Sequence, residues 1–273
     1  MGTASAAEAP PAAGQPPRPD AAYQRGDWAD AYRGYRQRLV AGQPTGAARN
    51  LARAIECLKK LNRIAEFDPL VEAAVRANAG DWRLLAAAAR SYKQVKHHGR
   101  RAEGVFTRGS GRGSARIVNA RQRDRVRSLQ LYQRAIAQAE AADERGEAAG
   151  VLLEAASAVR ATPGGVWRLQ ALTDLNTLPD YEAGWGYGRR GSAAPVDDAG
   201  EPVLHAEPAS WAAAASDGQR WRWLLAEATR WDTRLRPEAL RRRAEFARGK
   251  VSRVWARHLP QEAAAERLDA ELA

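Results

Sequence analysis

From Lys96 to Asn119, glycine and charge are too dense for a helix interior, while the residues on both sides carry helical periodicity. Any fold must therefore break a helical array at this point. At its heart lies Thr107-Arg-Gly-Ser-Gly-Arg-Gly-Ser-Ala-Arg116, read as a Gly/Arg loop that feeds an amphipathic helix without a spacer. Between Lys96 and Arg127 there are ten Lys/Arg against two acids, an excess of eight in a chain whose total is +11. Three readings of this loop stay open. Its arginines could bind nucleic-acid phosphates, although Phe106 is the one aromatic inside it for base stacking. They could pair with an acidic partner or with acids and carbonyls of this same chain, since the guanidinium fork suits tethering an irregular loop. Or glycine and charge could leave the loop solvated. The tether reading names Arg108, Arg112 and Arg116, with Arg123 and Arg127 on the flank of the helix that follows.

Around this interruption the expectation is all-α: an irregular array of helical hairpins with a small β-hairpin or irregular insertion. The helix over about 120–141 turns Val126, Leu129, Tyr132, Ile136 and Ala139 inward, and a partner over about 144–159 returns along it. Upstream, Gly26-Asp-Trp28 and Gly80-Asp-Trp82 open two similar helices, the first with Trp28, Ala31, Tyr32, Tyr35 and Leu39 on one face. Between them, helices are expected over about 47–64 and 69–77, the latter starting at Asp68-Pro69 with proline in the first helical position. After Thr162-Pro-Gly-Gly165 a short helix should run from Trp167 towards Leu178-Pro179, and Ala194–His205 reads as an edge hairpin around Asp-Asp-Ala-Gly. Helices resume at about 210–215, 219–231, 237–258 and 261 to the end. The division expected is an Ala/Pro-rich disordered lead over 1–19 and a helical subdomain over 20–160 with the basic loop at 96–119. A second subdomain over 166–273 carries an irregular insertion at 180–208. The chain stops within a helical pattern, which suggests that the natural polypeptide continues.

The chemistry of the sequence is sparse. One cysteine, Cys57, excludes an internal disulfide and a multi-thiolate metal site, and its apolar neighbours Ala54, Leu58 and Leu61 read as core. The four histidines include the adjacent pair His97-His98, which on regular backbone point apart and make a poor shared metal site. There is no Gly-x-Ser-x-Gly, no His-Glu-x-x-His and no phosphate loop ending in Lys-Ser/Thr. The expectation is a protein that is not an enzyme and uses no cofactor or metal. No apolar run approaches the ~20 residues of a membrane span, and no signal peptide is visible. Nine tryptophans suggest aromatic anchoring. On the helix from Gln219, Trp221, Leu224, Leu225 and Ala228 form a core seam, while Trp223 falls off it and is expected to cover a neighbour or an interface.

Two resemblances follow from these motifs. Gly26-Asp-Trp with its Ala, aromatic and Leu spacing resembles the second half of a tetratricopeptide unit, although the two copies lie 54 residues apart, off the regular period. Phe106-x-Arg-Gly-x-x-Arg-x-x-Ala-Arg-Ile-Val-Asn119, Arg123-Asp-Arg-Val-Arg127, Trp167-Arg-Leu-Gln-x-Leu-Thr-Asp174 and Ser216-Asp-Gly-x-Arg-Trp-Arg-Trp223 follow in one order. Together they resemble the helical N-terminal part of large bacterial alpha-2-macroglobulin-like proteins, over about 26–231. The resemblance implies a cell-envelope or exported protein whose full-length relatives trap proteases. This chain departs from them where activity would reside: Cys57 is followed by Leu58-Lys59-Lys60, not by the Glu-Gln of a thioester, and there is no bait segment. The resemblance implies a non-catalytic scaffold or interaction module that meets adjoining domains or an acidic partner. The alternative is a basic, nucleic-acid-associated helical protein.

Overall fold

The computed structural model describes residues 19–110, 115–161, 166–185 and 205–254. Nine α-helices among the described residues carry the architecture: α1 (Pro19–Arg25), α2 (Trp28–Val40), α3 (Ala47–Lys60), α4 (Phe67–Ala77), α5 (Trp82–Gln94), α6 (Arg121–Ala141), α7 (Arg145–Arg160), α8 (Asp217–Trp231) and α9 (Arg236–Val254). Most follow the apolar periodicity directly. On α2 the stripe Ala31, Tyr32, Tyr35, Leu39 is buried, and on α3 Leu51, Ala54, Ile55 and Leu58 are, so these faces meet. Cys57 belongs to the same core and is fully buried. One continuous apolar cluster runs from Ala22 to Phe246, with α5 packed on α6, α6 on α7 and α7 on α8. Complete burial of each leucine in this stack contributes roughly 1.5–3 kcal/mol.

The two Gly-Asp-Trp openings do not behave alike. Asp81 accepts from the Arg83 and Leu84 amides and caps α5. Asp27 makes no such cap and instead accepts from Arg25 Nε at 2.9 Å. The Asp68-Pro69 start also shifts. The α4 helix begins at Phe67, so Pro69 is third in its first turn, where a missing amide donor still costs no helical bond.

The sheet is the main departure from an all-α chain. The segment expected to be a loop over 96–119 folds into three strands, β1 (His98–Ala102), β2 (Val105–Arg108) and β3 (Arg116–Asn119). A fourth, β4 (Glu182–Ala183), joins from the segment expected to be an irregular insertion, giving an antiparallel sheet in the order β2-β1-β3-β4. The β1–β2 connection is the two-residue turn Glu103-Gly104, both with positive φ (49° and 81°). That conformation matches the twist of a hairpin. Gly99 faces Arg108 in register, and a Cβ there would lie 2.4 Å from the Thr107 carbonyl oxygen and 2.5 Å from the Phe106 ring. Glycine is therefore required for the two strands to approach. Gly99→Ala is expected to cost about 1–3 kcal/mol of stability through overpacking. Thermal melting monitored by circular dichroism would read it, and an unchanged melting temperature would show that β2 can shift aside.

Other boundaries also moved. The helix expected from Trp167 to Leu178 is a 3-10 turn over Val166–Gln170 only, because side-chain oxygens claim the backbone beyond it. The Asp217 carboxylate takes the Thr173 amide at 3.0 Å and the Asp174 carboxylate takes the Asn176 amide at 2.8 Å. The helix expected at 210–215 is a turn, closed by the Ala213 amide donating to Ser210 Oγ and the Ala215 amide to Gln219 Oε1. Pro19, expected as the last residue of the disordered lead, is buried and opens α1. Residues 1–18, all of the hairpin expected at 194–205 except His205, and the helix expected from 261 lie outside the described residues.

Candidate functional site

The predicted site residues lead to two buried arginine clamps. Arg108 ends β2 and is buried. All its N–H groups are used: Nε and Nη2 donate to Asp68 at 2.9 and 2.7 Å, Nη1 and Nη2 to Asp124 at 2.8 and 2.9 Å, and Nη1 to the Lys96 carbonyl at 2.8 Å. Its guanidinium carbon lies 5.2 Å from the Phe67 ring centroid and 5.3 Å from that of Phe106. Burial pulls the guanidinium pKa down, but the bonds and charges of Asp124 and Asp68 outweigh it and raise it above its ordinary value. Asp124, in the first turn of α6, also meets His97 Nδ1 at 2.7 Å. The cluster thus ties the sheet to the N-terminal turns of α4 and α6, where carboxylates are favoured. His98 turns elsewhere and sits with its ring centroid 5.1 Å from that of Trp185.

The second clamp starts one residue later. Arg125 donates to Thr173 Oγ1, to the Val159 carbonyl and to Asp217 at 2.9, 2.9 and 2.8 Å. Asp217, itself buried, also accepts from the Thr173 hydroxyl and amide, and the Arg220 guanidinium donates to it at 3.3 Å and to the Thr173 carbonyl at 2.7 Å. This joins α6, the end of α7, the 171–173 stretch and the start of α8. Sequence reading missed Asp68, Asp124, His97, Arg125, Thr173 and Asp217 as partners. One signal was present: Asp124 and Arg125 are charged residues on the apolar side of α6, beside Ser128, Leu129 and Tyr132. Charges so placed need buried counter-charges.

The remaining predicted residues scatter around the clamps. Arg127 grips Glu72 with two bonds, Nε at 2.8 Å and Nη2 at 2.7 Å, and the Tyr92 hydroxyl donates to the same carboxylate at 2.8 Å. Arg123 donates to the Pro179 carbonyl at 2.9 Å and lies over Tyr181, which stacks on Phe106 at 4.4 Å. Arg101 pairs with Asp180 at 3.0 Å. Arg116, expected to be a tether, is exposed, and its side chain makes no ion pair among the described residues. It stands at the start of β3 opposite Arg101, where like charge favours solvent. Arg112 lies outside the described residues. Trp223 covers a neighbour, edge-to-face with Trp211 at 6.1 Å.

No family model, curated protein or solved structure matches this chain. Among the described residues, no group of three or more His, Cys, Asp or Glu is placed to hold a metal ion, and no helix is long and apolar enough to cross a membrane.

The Arg127–Glu72 pair makes a pH prediction. Burial pushes the Glu72 carboxyl up, but the Arg127 bond and charge and the Tyr92 hydroxyl bring it below its ordinary 4.5. A depressed carboxyl contributes stability that is fully present above the unfolded-state value and is lost as pH falls through the folded one. Stability should therefore drop on acidification below about pH 4.5. Glu72→Gln should flatten that acid limb in urea titrations between neutral and acid pH. An identical limb in the variant would remove Glu72 as a contributor.

Proposed function

We propose that this chain is a non-catalytic helical scaffold, built like the helical N-terminal part of a bacterial alpha-2-macroglobulin-like protein, that packs against adjoining domains or an acidic protein partner. One observation carries the reading. The segments bearing the resemblance are those that the two clamps tie together: Arg108, Asp124 and Arg125 from the first two motifs, Thr173 from the third and Asp217 from the last. Their polar groups are spent on holding helices and strands in fixed relation, the work of a frame, with few left to face a substrate. The successive helix pairs α2–α3 and α6–α7 support a tetratricopeptide-like arrangement. Burial raises the Cys57 thiol, which disfavours the thiolate that covalent chemistry needs. Cell-envelope location follows from the same resemblance.

The nucleic-acid alternative loses its most central arginines, since Arg101, Arg108, Arg123 and Arg127 are engaged within the chain. Two measurements test the proposal. The reading frame beyond codon 273 should continue into β-sandwich domains, and a stop codon there would remove the family part. Filter binding to duplex and single-stranded DNA over a salt series should show only weak retention. Tight binding that falls steeply with salt would favour the alternative.

A further inference from the structure

Near the C-terminal end of α7 a cleft of about 420 Å³ opens between α7, α8 and α9, lined by Ser157, Arg160, Trp221, Arg241, Arg242 and Glu245. Its charges do not balance. Arg241 donates to both oxygens of Glu238, at 2.8 and 2.7 Å, and also to Glu245. Arg242 donates to Glu238 at 2.6 Å, to the Leu153 carbonyl at 2.6 Å and to Ser157 Oγ at 2.9 Å. The two acids are thus engaged by two arginines, and Arg160 is the third. Among the described residues the Arg160 guanidinium makes no hydrogen bond or ion pair. It lies 5.6 Å from the ring centroids of both Trp221 and Phe246. Nor does the adjacent helix end take its donors: the Val159 carbonyl accepts from Arg125 and the Ser157 carbonyl from the Ala161 amide.

A half-buried guanidinium braced on aromatic rings is pre-oriented, and its unused donors match the two oxygens of a carboxylate. We infer that this cleft is a docking site for an acidic side chain of a protein partner, with Arg160 as the anchor and Arg241 and Arg242 as flanking charge. The inference rests on the interaction-module reading above and names one place where the partner would attach. Two observations favour a carboxylate. The three arginines of the cleft face two acids, Glu245 in the lining and Glu238 beside it, and the excess of one suits a single negative charge. Its volume falls in the ~300–1,000 Å³ range of small binding pockets. Burial, with Arg242 nearby, holds the Arg160 guanidinium below its ordinary value despite Glu245, so an incoming anion would relieve a desolvated cation.

The test uses fluorescence anisotropy of a fluorescein-labelled hexaglutamate peptide on the full chain at roughly 50 mM salt, where exposed charges are only partly screened. Arg160→Met keeps an apolar stem over Trp221 and Phe246 but removes the fork, and should weaken binding about tenfold or more. Arg160→Lys keeps the charge without the fork and should weaken it by a smaller factor, which also covers the case in which the methionine variant misfolds. Arg33→Gln removes one exposed charge, paired with Asp30 on α2, and should leave affinity within about twofold. Equal losses in Arg33→Gln and Arg160→Met would mean diffuse attraction to a basic chain, and would overturn the site. Unchanged binding in Arg160→Met would overturn the cleft and leave the module reading standing. No binding by the wild type, or a wild type that binds inorganic phosphate but not the peptide, would also overturn it. The reading-frame test of the module is independent of all these arms.

Discussion

Arg108→Met should lower the folding stability of this protein by about 3–5 kcal/mol, the range seen when one partner of a buried ion pair is removed. The loss does not measure the strength of the pair. It arises because Asp124 stays buried and loses its guanidinium, while Asp68 loses a two-bond partner. His97 remains beside Asp124 and offsets part of the loss. Arg108 ties the end of β2 to α4 and α6, so β1 and β2 should lose amide protection more than α2 or α3. Urea unfolding of wild type and variant, with hydrogen exchange on both, would measure it. Arg108→Met with Asp124→Asn should cost less than the two single changes added together, since the second removes the charge the first strands. A loss under about 1 kcal/mol would mean that water reaches the carboxylates and that the clamp is not a closed one.

Asp217→Ala should have an effect of similar size by the opposite route. Here the cation is stranded: the Arg125 side chain is 6% exposed, and its remaining partners are the Thr173 hydroxyl and the Val159 carbonyl, both uncharged. The Thr173 amide also loses its acceptor. About 3–5 kcal/mol is again the expected scale. The location of the damage should differ. The α8 helix keeps its Ser216 cap on the Gln219 amide, so helix content should hold. The 171–176 stretch should lose part of its protection from amide exchange, because the Asp217 carboxylate holds the Thr173 amide and hydroxyl, leaving the Arg220 bond to the Thr173 carbonyl and the backbone bond to Ala171. Full protection there, together with a small stability change, would show that Arg220 and the apolar packing of Trp221 suffice to dock it.

The helices were legible because burial leaves a periodic trace. Leu51, Ala54, Ile55 and Leu58, or Trp221, Leu224, Leu225 and Ala228, recur at helical spacing and are all buried. The sheet was not legible. Its strands run from two to five residues, too short for clear alternation, and β1 reads His-Gly-Arg-Arg-Ala, with little of the β-branched and aromatic character that marks strands. The turn that closes β1 on β2, Glu103-Gly104, lacks the Asn-Gly or Asp-Gly that would announce it.

The sequence by itself determined the helical periodicity, the burial of Cys57, the break in the helical array near residue 96 and the excess of arginine. Each follows from local composition or spacing. Which arginine would be buried was decided only by tertiary structure. Arg108, Arg112 and Arg116 stand in one Gly/Arg run with nothing local to rank them. Strand pairing places Arg108 against two carboxylates that lie 40 and 16 residues away, while Arg116 meets Arg101 across the sheet and stays in solvent. The physical reason is that a charge is worth burying only against a counter-charge with matched geometry, and sequence separation carries no record of which acid that will be.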